Sequence, residues 1–160
     1  ANAASQKVRF LARTQVTDFM PMRQRNPLVF DGVTRAWKNV LSDANITLDS
    51  LSFAEVHDCF TIAELMIYES MGLTPFGQGA TAINEGWVMK DGRLPVNPSG
   101  GLKAKGHPVG ATGVSMHVMA ARQLLNAAGG CQIDDAHTGA VFNMGGLAVA
   151  NYASLLQRVD

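Results

Sequence analysis

Apolar residues recur along this chain with two different periods, one typical of β-strands and the other of amphipathic helices. Runs rich in β-branched residues predict five strands, at residues 7–16, 51–56, 94–96, 138–143 and 147–157. Apolar residues three and four positions apart predict three helices, at residues 30–45, 61–71 and 114–125.

The order of these elements predicts an α/β domain in which a five-stranded, mixed but mostly parallel sheet carries helices on both faces. Right-handed crossovers bring the carboxyl ends of parallel strands to one edge of a sheet, where ligands bind in open α/β folds. The second strand ends at His57, the third leads through a loop to His107, and the fourth ends at residues 143–146. We therefore expect these three polar clusters to lie together at one edge of the sheet.

Length and composition indicate a single globular domain. With 160 residues, of which 47% are hydrophobic and only 16% charged, the chain has the size of one globular domain with a substantial core. We assign this domain to residues 7–160 and interpret residues 1–6 as a lead-in outside it. The low share of charged residues suggests a surface that a partner or another part of the protein covers.

Charge and cysteine content exclude several classes of function. The formal net charge is zero, so the sequence offers no electrostatic case for binding nucleic acid or an anionic membrane. No apolar run approaches the ~20 residues of a membrane span, and no secretory signal opens the sequence. Cys59 and Cys131 are too few for a disulfide framework, so we expect a reducing, cytoplasmic setting.

Residues 97–113 carry the first candidate site. They combine a glycine-rich loop with a Gly-His-Pro turn, and Pro108 favours the first position of a helix. We expect the positive end of that helix to keep His107 neutral, and a neutral imidazole takes a proton from a thiol or stabilises a developing oxyanion. Taken alone, the motif is better explained as a polar helix cap with two glycines that permit close packing.

His57-Asp58-Cys59-Phe60 is the second candidate, at the passage from the second strand to the second helix. A thiol near a helix N-terminus has a lowered pKa because the helix dipole favours the thiolate. The motif therefore predicts Cys59 as an acid/base or a nucleophile. An equally good explanation of the motif alone is that Cys59 packs as a small apolar residue while Asp58 caps the helix.

A metal site is the weaker interpretation of the same residues. His57, Cys59 and His107 include zinc-binding side chains, but they lack the paired spacing of structural zinc sites, so we expect no metal. Cys131 follows a helix stop, and we interpret it as an inert loop thiol.

Together, the motifs resemble the C-terminal half of the thiolase superfamily, specifically the branch related to sterol-carrier-protein-type thiolases. The resemblance covers residues 7–157, including the order of elements. Residues 97–113 are similar to the family's glycine-His-Pro block. His-Asp-Cys-Phe at residues 57–60 is a hallmark of the branch, where most other thiolases have Asn-Glu-Ala-Phe. Asn-Met-Gly at residues 143–145 occupies the place of the Cys-x-Gly block.

The resemblance implies a role for each matched position. His107 would activate a nucleophilic cysteine and help to bind the thioester oxygen of the incoming acyl-CoA. His57 would replace the asparagine that positions a water in the same oxyanion hole. Cys59 would replace the acid/base cysteine of the Cys-x-Gly block, because Asn143 has no thiol. The backbone N–H of Gly145 would contribute to a second oxyanion hole, which faces the acyl-enzyme intermediate.

The family's nucleophilic cysteine belongs to an N-terminal half that this sequence lacks, so the resemblance implies half of an active site. We expect no turnover from the chain alone, an apolar surface that pairs with the missing half or with another copy, and a homo-oligomeric protein. Acyl-CoA thioesters and coenzyme A would be substrates, with no tightly bound cofactor. We interpret Arg93, Lys103 and Lys105 as solvated surface charges rather than contacts to coenzyme A phosphates.

These observations predict the C-terminal catalytic domain of a thiolase-type acyl-CoA acyltransferase, which cleaves 3-ketoacyl-CoA or forms it by Claisen condensation. One alternative is a thiolase-like retro-aldolase acting on CoA-linked side chains. Such relatives lose parts of the thiolysis machinery, whereas His107 and Cys59 both remain here. Another alternative is a non-catalytic assembly subunit that keeps the fold. A Cys-x-Ser nucleophile upstream in the gene would favour the thiolase.

Overall fold

A four-stranded mixed sheet forms the centre of the domain in the computed structural model, which describes residues 7–159. The strands are β1 (Lys7–Thr17), β2 (Phe53–Val56), β3 (Thr138–Gly145) and β4 (Ala150–Val159), and they lie in the order β1-β4-β3-β2. β2 and β3 are parallel, whereas β4 runs antiparallel to both of its neighbours. The expected lead-in at residues 1–6 lies outside the described residues.

The expectation of a fifth strand at residues 94–96 is wrong. This segment contributes a single parallel bridge, between Val96 and Ala54. Two features of the segment limit further pairing. Pro95 has no N–H to donate to a ladder, and Asn97 turns the backbone to a left-handed φ of 51°.

The expectation of a mostly parallel sheet is also wrong, because β3 and β4 pair antiparallel. Only a tight turn joins these two strands, and a parallel pair needs a crossover of a dozen or more residues. Residues 146–148 make this turn with left-handed φ values between 54° and 60°. β4 therefore begins at Ala150 rather than at residue 147.

Helices cover both faces of the sheet, as expected. They are α1 (Asp31–Ala44), α2 (Thr61–Ser70), α3 (Gly79–Asn84), α4 (Gly101–Lys105) and α5 (Thr112–Leu124). Alternate residues of β3 enter two separate apolar cores. Phe142 stacks on Trp37 of α1 with ring centroids 5.9 Å apart, whereas Val141 joins the core that contains Met116 of α5. Among the described residues, no helix combines the length and apolar character needed to cross a bilayer.

The carboxyl ends of β2 and β3 meet at one edge of the sheet because the two strands are parallel. His57 follows β2 directly, and β3 closes with Asn143, Met144 and Gly145. The glycine-rich loop is attached beside β2, since the backbone N–H of Asn97 donates to the carbonyl of Ala54 at 2.8 Å. The fold thus brings the three polar clusters to the same edge.

We expect Gly139→Ala to destabilise the domain by about 1–3 kcal/mol, the usual cost of overpacking a core. Gly139 is paired with Phe53 across β2 and β3, and a Cβ atom at this position would overlap the Phe53 ring. Urea unfolding followed by tryptophan fluorescence measures the change. Gly130→Ala is the matched control, because a Cβ atom there meets open space. Equal free energies of unfolding for the two variants would contradict the pairing of Gly139 with Phe53, in which the Phe53 ring fills the space beside the glycine.

Candidate active site

His57 lies at the edge of the sheet and is buried, with 5% of its surface exposed. Its Nδ1 lies 2.6 Å from Oδ1 of Asn143, near the end of β3. An amide oxygen only accepts hydrogen bonds, so Nδ1 carries the proton and Nε2 keeps its lone pair. The strand pairing makes this contact, because Val56 and Phe142 are paired one residue earlier in each strand.

Burial lowers the pKa of His57, because a charged imidazolium is disfavoured away from water. The hydrogen bond to Asn143 opposes this shift, the neighbouring His107 lowers the pKa further, and the charge of Asp58 raises it. The balance is a lowered pKa, so the His57 imidazole is neutral at pH 7.

His107 stands next to His57 at the same edge. The two ring centroids are 4.9 Å apart and the rings meet edge to face at 82°. The hydroxyl of Thr112 lies 2.6 Å from Nδ1 of His107 and donates to the carbonyl of Pro108 at 3.1 Å. Because that hydroxyl has one proton to donate, it accepts from Nδ1–H, which leaves Nε2 of His107 as the atom that takes a proton.

The expected helix start at Pro108 is wrong, because α5 begins at Thr112. Residues 108–111 form a turn in which the carbonyl of Pro108 accepts the N–H groups of Ala111 and Thr112. His107 therefore precedes the helix by more than one turn, and the effect of a helix dipole falls off within one turn. The hydrogen bond to Thr112, rather than a position at a helix start, orients the imidazole.

Cys59 has a raised pKa, and the expectation of a lowered pKa is wrong. Burial of the half-exposed thiol is the largest cause, because it disfavours the thiolate. Hydrogen bonds from the backbone N–H groups of Phe60 and of Cys59 itself lower the pKa in part, and the charge of Asp58 raises it. Cys59 is therefore a thiol rather than a thiolate at neutral pH.

Asp58 supports the glycine-rich loop rather than capping the helix that follows it. Its Oδ1 accepts the backbone N–H of Leu102 in α4 at 2.8 Å, and α2 begins at Thr61 without a side-chain cap. A Cβ atom at Gly101 would overlap the Asp58 carboxylate, so glycine is required where this carboxylate meets the loop.

One cavity of about 590 Å³ is lined by His57, Cys59, His107 and Gly145, the four site residues that the sequence suggested. They come from the end of β2, the loop before α5 and the end of β3. Asn143 lines the cavity as well. The arrangement offers two proton-accepting imidazole nitrogens and one proton-donating thiol in the same space. Among residues 7–159, no three histidine, cysteine or acidic side chains are grouped to hold a metal ion.

Two of the pockets that adjoin the cavity differ in polarity. An apolar groove of about 740 Å³ shares Phe60 and Leu147 with it and runs between α2 and residues 22–30. A more polar pocket of about 650 Å³ shares His107 with the cavity and reaches Lys103. The site thus adjoins both an apolar and a polar surface.

Sequence reasoning missed the residues that orient the two imidazoles. Asn143 draws attention in the sequence only for the thiol it lacks, and nothing in the sequence pairs it with His57 before the strands are paired. The sequence likewise carries no signal for the contact of Thr112 with His107. The interpretation of Lys105 as a solvated charge is wrong, because its Nζ lies 3.3 Å from Oε2 of the fully buried Glu55. A single charged residue inside an apolar strand was the available signal for Glu55.

Comparisons with known proteins identify relatives of this chain. The profile of a family described as "Thiolase C-terminal domain-like" matches residues 14–158. An acetyl-CoA acetyltransferase of Methanothermobacter thermautotrophicus is 37% identical over 136 residues, which is 84% of this chain and 36% of that protein. Human sterol carrier protein 2 is 35% identical over 145 residues, which is 88% of this chain and 26% of that protein.

A solved structure titled "Ltp2-ChsH2(DUF35) aldolase" superposes with a TM-score of 0.82 over 94% of this chain and 39% of the matched chain, at 20% identity. At that identity the likeness concerns the fold alone. The chain therefore spans between a quarter and two fifths of the length of these relatives.

We expect His57 to make the domain less stable in acid. The unfolded chain binds a proton near pH 6.5 while folded His57 does not, so this contribution is complete above pH 6.5 and is lost as the pH falls towards the lower pKa of the folded state. His57→Asn should reduce the slope of unfolding free energy against pH by up to about 1.4 kcal/mol per pH unit.

Urea unfolding at a series of pH values between neutral and mildly acidic measures this slope. His137→Asn, at an exposed position, retains His57 and should retain its contribution to the acid loss. Parallel stability curves for wild type and His57→Asn would refute the lowered pKa.

Proposed function

This chain belongs to the thiolase C-terminal domain-like family, and we propose that it supplies the C-terminal half of the active site of a thiolase-type acyl-CoA acyltransferase. The reaction is thiolysis of 3-ketoacyl-CoA or the reverse Claisen condensation. The single observation that carries the proposal is the cavity in which two imidazoles and one thiol face the same space.

His107 is the proposed activator of the nucleophile. Its Nε2 takes the proton of a cysteine in the N-terminal half, and the thiolate attacks the 3-keto carbon of the substrate. Cleavage of the bond between C2 and C3 leaves the acyl group on that cysteine and releases the enolate of the shortened acyl-CoA. The thiol of coenzyme A then takes the acyl group and restores the cysteine.

His57 and Gly145 are the proposed oxyanion contacts. The thioester oxygen gains charge in the enolate, and the N–H of protonated His107 donates to it, together with a water that His57 positions. The backbone N–H of Gly145 serves the oxygen of the acyl-enzyme. The hydrogen bond between His57 and Asn143 supports this assignment, because it fixes one nitrogen of the ring and leaves the other to contact a water.

Cys59 is the proposed acid/base. In thiolysis it protonates the carbon of the departing enolate, and in condensation it removes the proton from the corresponding carbon of acyl-CoA. Its raised pKa favours the protonated thiol, which is the form that the enolate requires. Cys131 is not assigned a role, because its Sγ donates to the carbonyl of Ala128 outside the cavity.

An exposed apolar surface beside the cavity supports pairing with an N-terminal half. Val109 and Val114 are 83% and 67% exposed, and Val118 and Tyr152 are also exposed. This surface lies along α5 and β4. We place the N-terminal half there and propose that this chain alone has no turnover. A homo-oligomeric assembly and a cytoplasmic location are further parts of the proposal.

Acyl-CoA and coenzyme A are the proposed substrates, with no tightly bound cofactor. The apolar groove between α2 and residues 22–30 opens from the cavity at Phe60 and Leu147, which gives an acyl chain room to extend.

In the protein that carries both halves, we expect His107→Ala to slow acyl-enzyme formation by about 10²–10⁴-fold, the usual contribution of a general base. Labelling by isotope-tagged acetyl-CoA, followed by acid quench, measures the covalent intermediate. His137→Ala is the control, because His137 is exposed and does not line the cavity. Undiminished labelling of His107→Ala would rule out His107 as activator, and no labelling of wild type would indicate a non-catalytic subunit.

Cys59→Ala should separate acylation of the nucleophilic cysteine from the proton transfer at carbon. We expect it to form the acyl-enzyme from acetyl-CoA at the wild-type rate but to lose thiolysis and condensation by about 10²–10⁴-fold, because only the proton transfer at carbon is removed. Cys131→Ala serves as the matched control and should retain both activities. The acid/base assignment fails if Cys59→Ala leaves both reactions unchanged.

A further inference from the structure

Glu55 is a fully buried carboxylate that does not line the cavity. It lies in β2, between the apolar residues Ala54 and Val56, with 0% of its surface exposed. Burying a carboxylate is costly unless hydrogen bonds and a cation compensate for the lost water. The position of those partners therefore indicates what the carboxylate does.

Within residues 7–159, the hydrogen bonds to Glu55 come from the glycine-rich loop that leads to His107. The backbone N–H of Ser99 donates to Oε1 at 3.2 Å, and the Ser99 hydroxyl donates to Oε2 at 2.5 Å. Nζ of Lys105 donates to the same Oε2 at 3.3 Å and also contacts the Ser99 hydroxyl. One carboxylate thus joins both ends of the segment from residue 99 to residue 105.

The loop needs such an anchor because its backbone is unusual. φ is positive at Asn97, Gly100, Gly101 and Gly106, and these conformations confer little stability of their own. Apolar packing contributes little as well, since Leu102 is the one large apolar side chain of α4. Polar contacts to the β2 region therefore hold the segment in place.

We propose that Glu55 is a positioning residue for His107. Lys105 precedes His107 by two residues, so the ion pair with Glu55 fixes the end of the loop from which the imidazole projects. The ion pair between Glu55 and Lys105 holds His107 at its edge-to-face contact with His57 and its hydrogen bond to Thr112. Misplacement of a catalytic group by about 1 Å costs on the order of 10²-fold in rate.

The proposal rests on the proposed function of His107 and is tested in the protein that carries both halves. Glu55→Gln keeps the shape and an acceptor oxygen but removes the charge. We expect it to slow acyl-enzyme formation by about 10–100-fold while KM for acyl-CoA changes by less than about twofold. Glu85→Gln, at an exposed position beside α3, is the matched control and should change neither constant.

Lys105→Met is the second test variant, because it leaves the buried carboxylate of Glu55 without its cation. We expect a larger loss of rate than in Glu55→Gln, and we expect the double variant Glu55→Gln/Lys105→Met to recover part of it. Rescue of this kind indicates that the pair acts as a unit. If the losses of acylation rate in the two single variants add in the double variant, the proposal that Glu55 and Lys105 act as a pair is wrong.

Nuclear magnetic resonance of isotope-labelled histidine provides a readout that does not depend on turnover. We expect the imidazole nitrogen signals of His107, assigned by their absence in His107→Ala, to shift in Glu55→Gln as the contact with Thr112 loosens. A variant that only melts at a lower temperature, with the His107 signals and acylation rate of wild type, would overturn the proposal. If wild type forms no acyl-enzyme, the proposed function fails, and the His107 signals alone decide the positioning role.

Discussion

The parallel pairing of β2 with β3 is the constraint on which the site depends. It places the carboxyl ends of both strands side by side, so that His57 and Asn143 come within 2.6 Å of each other. A slip of one residue would turn one of these side chains to the opposite face of the sheet. The missing side chain of Gly139 makes room for the Phe53 ring and so holds the register.

Burial at this edge sets the protonation of His57 and Cys59. The same loss of water lowers the pKa of His57 and raises that of Cys59, so both side chains are uncharged at neutral pH. A neutral base and a neutral acid are therefore held in one cavity. Glu55 and Lys105 form an ion pair, and neither residue lines the cavity. In our proposal this ion pair positions His107 and takes no part in proton transfer.

Local sequence patterns predicted the three longest helices, α1, α2 and α5, and the edge at which the site lies, but not the short helices α3 and α4. α1 and α2 begin and end within one residue of the predicted bounds, because their apolar stripes depend only on spacing within the segment. The three polar clusters of His57, His107 and Gly145 do line one cavity. The wrong predictions concern non-local contacts. The strand at residues 94–96 and the direction of β4 depend on pairing with other strands, and the pKa of Cys59 depends on the burial of its thiol.

By itself, the sequence determined the approximate elements and the identity of the side chains available for chemistry, because these features follow from residue type and spacing. The resemblance of its motifs to the thiolase superfamily indicated the family, which the family profile shows. Only the tertiary structure decided which way each strand runs, which partner fixes each imidazole and how much water reaches each titrating group. The physical reason is that hydrogen bonds between strands and the desolvation of a side chain are made by residues distant in the chain, such as Asn143 beside His57 and Lys105 beside Glu55.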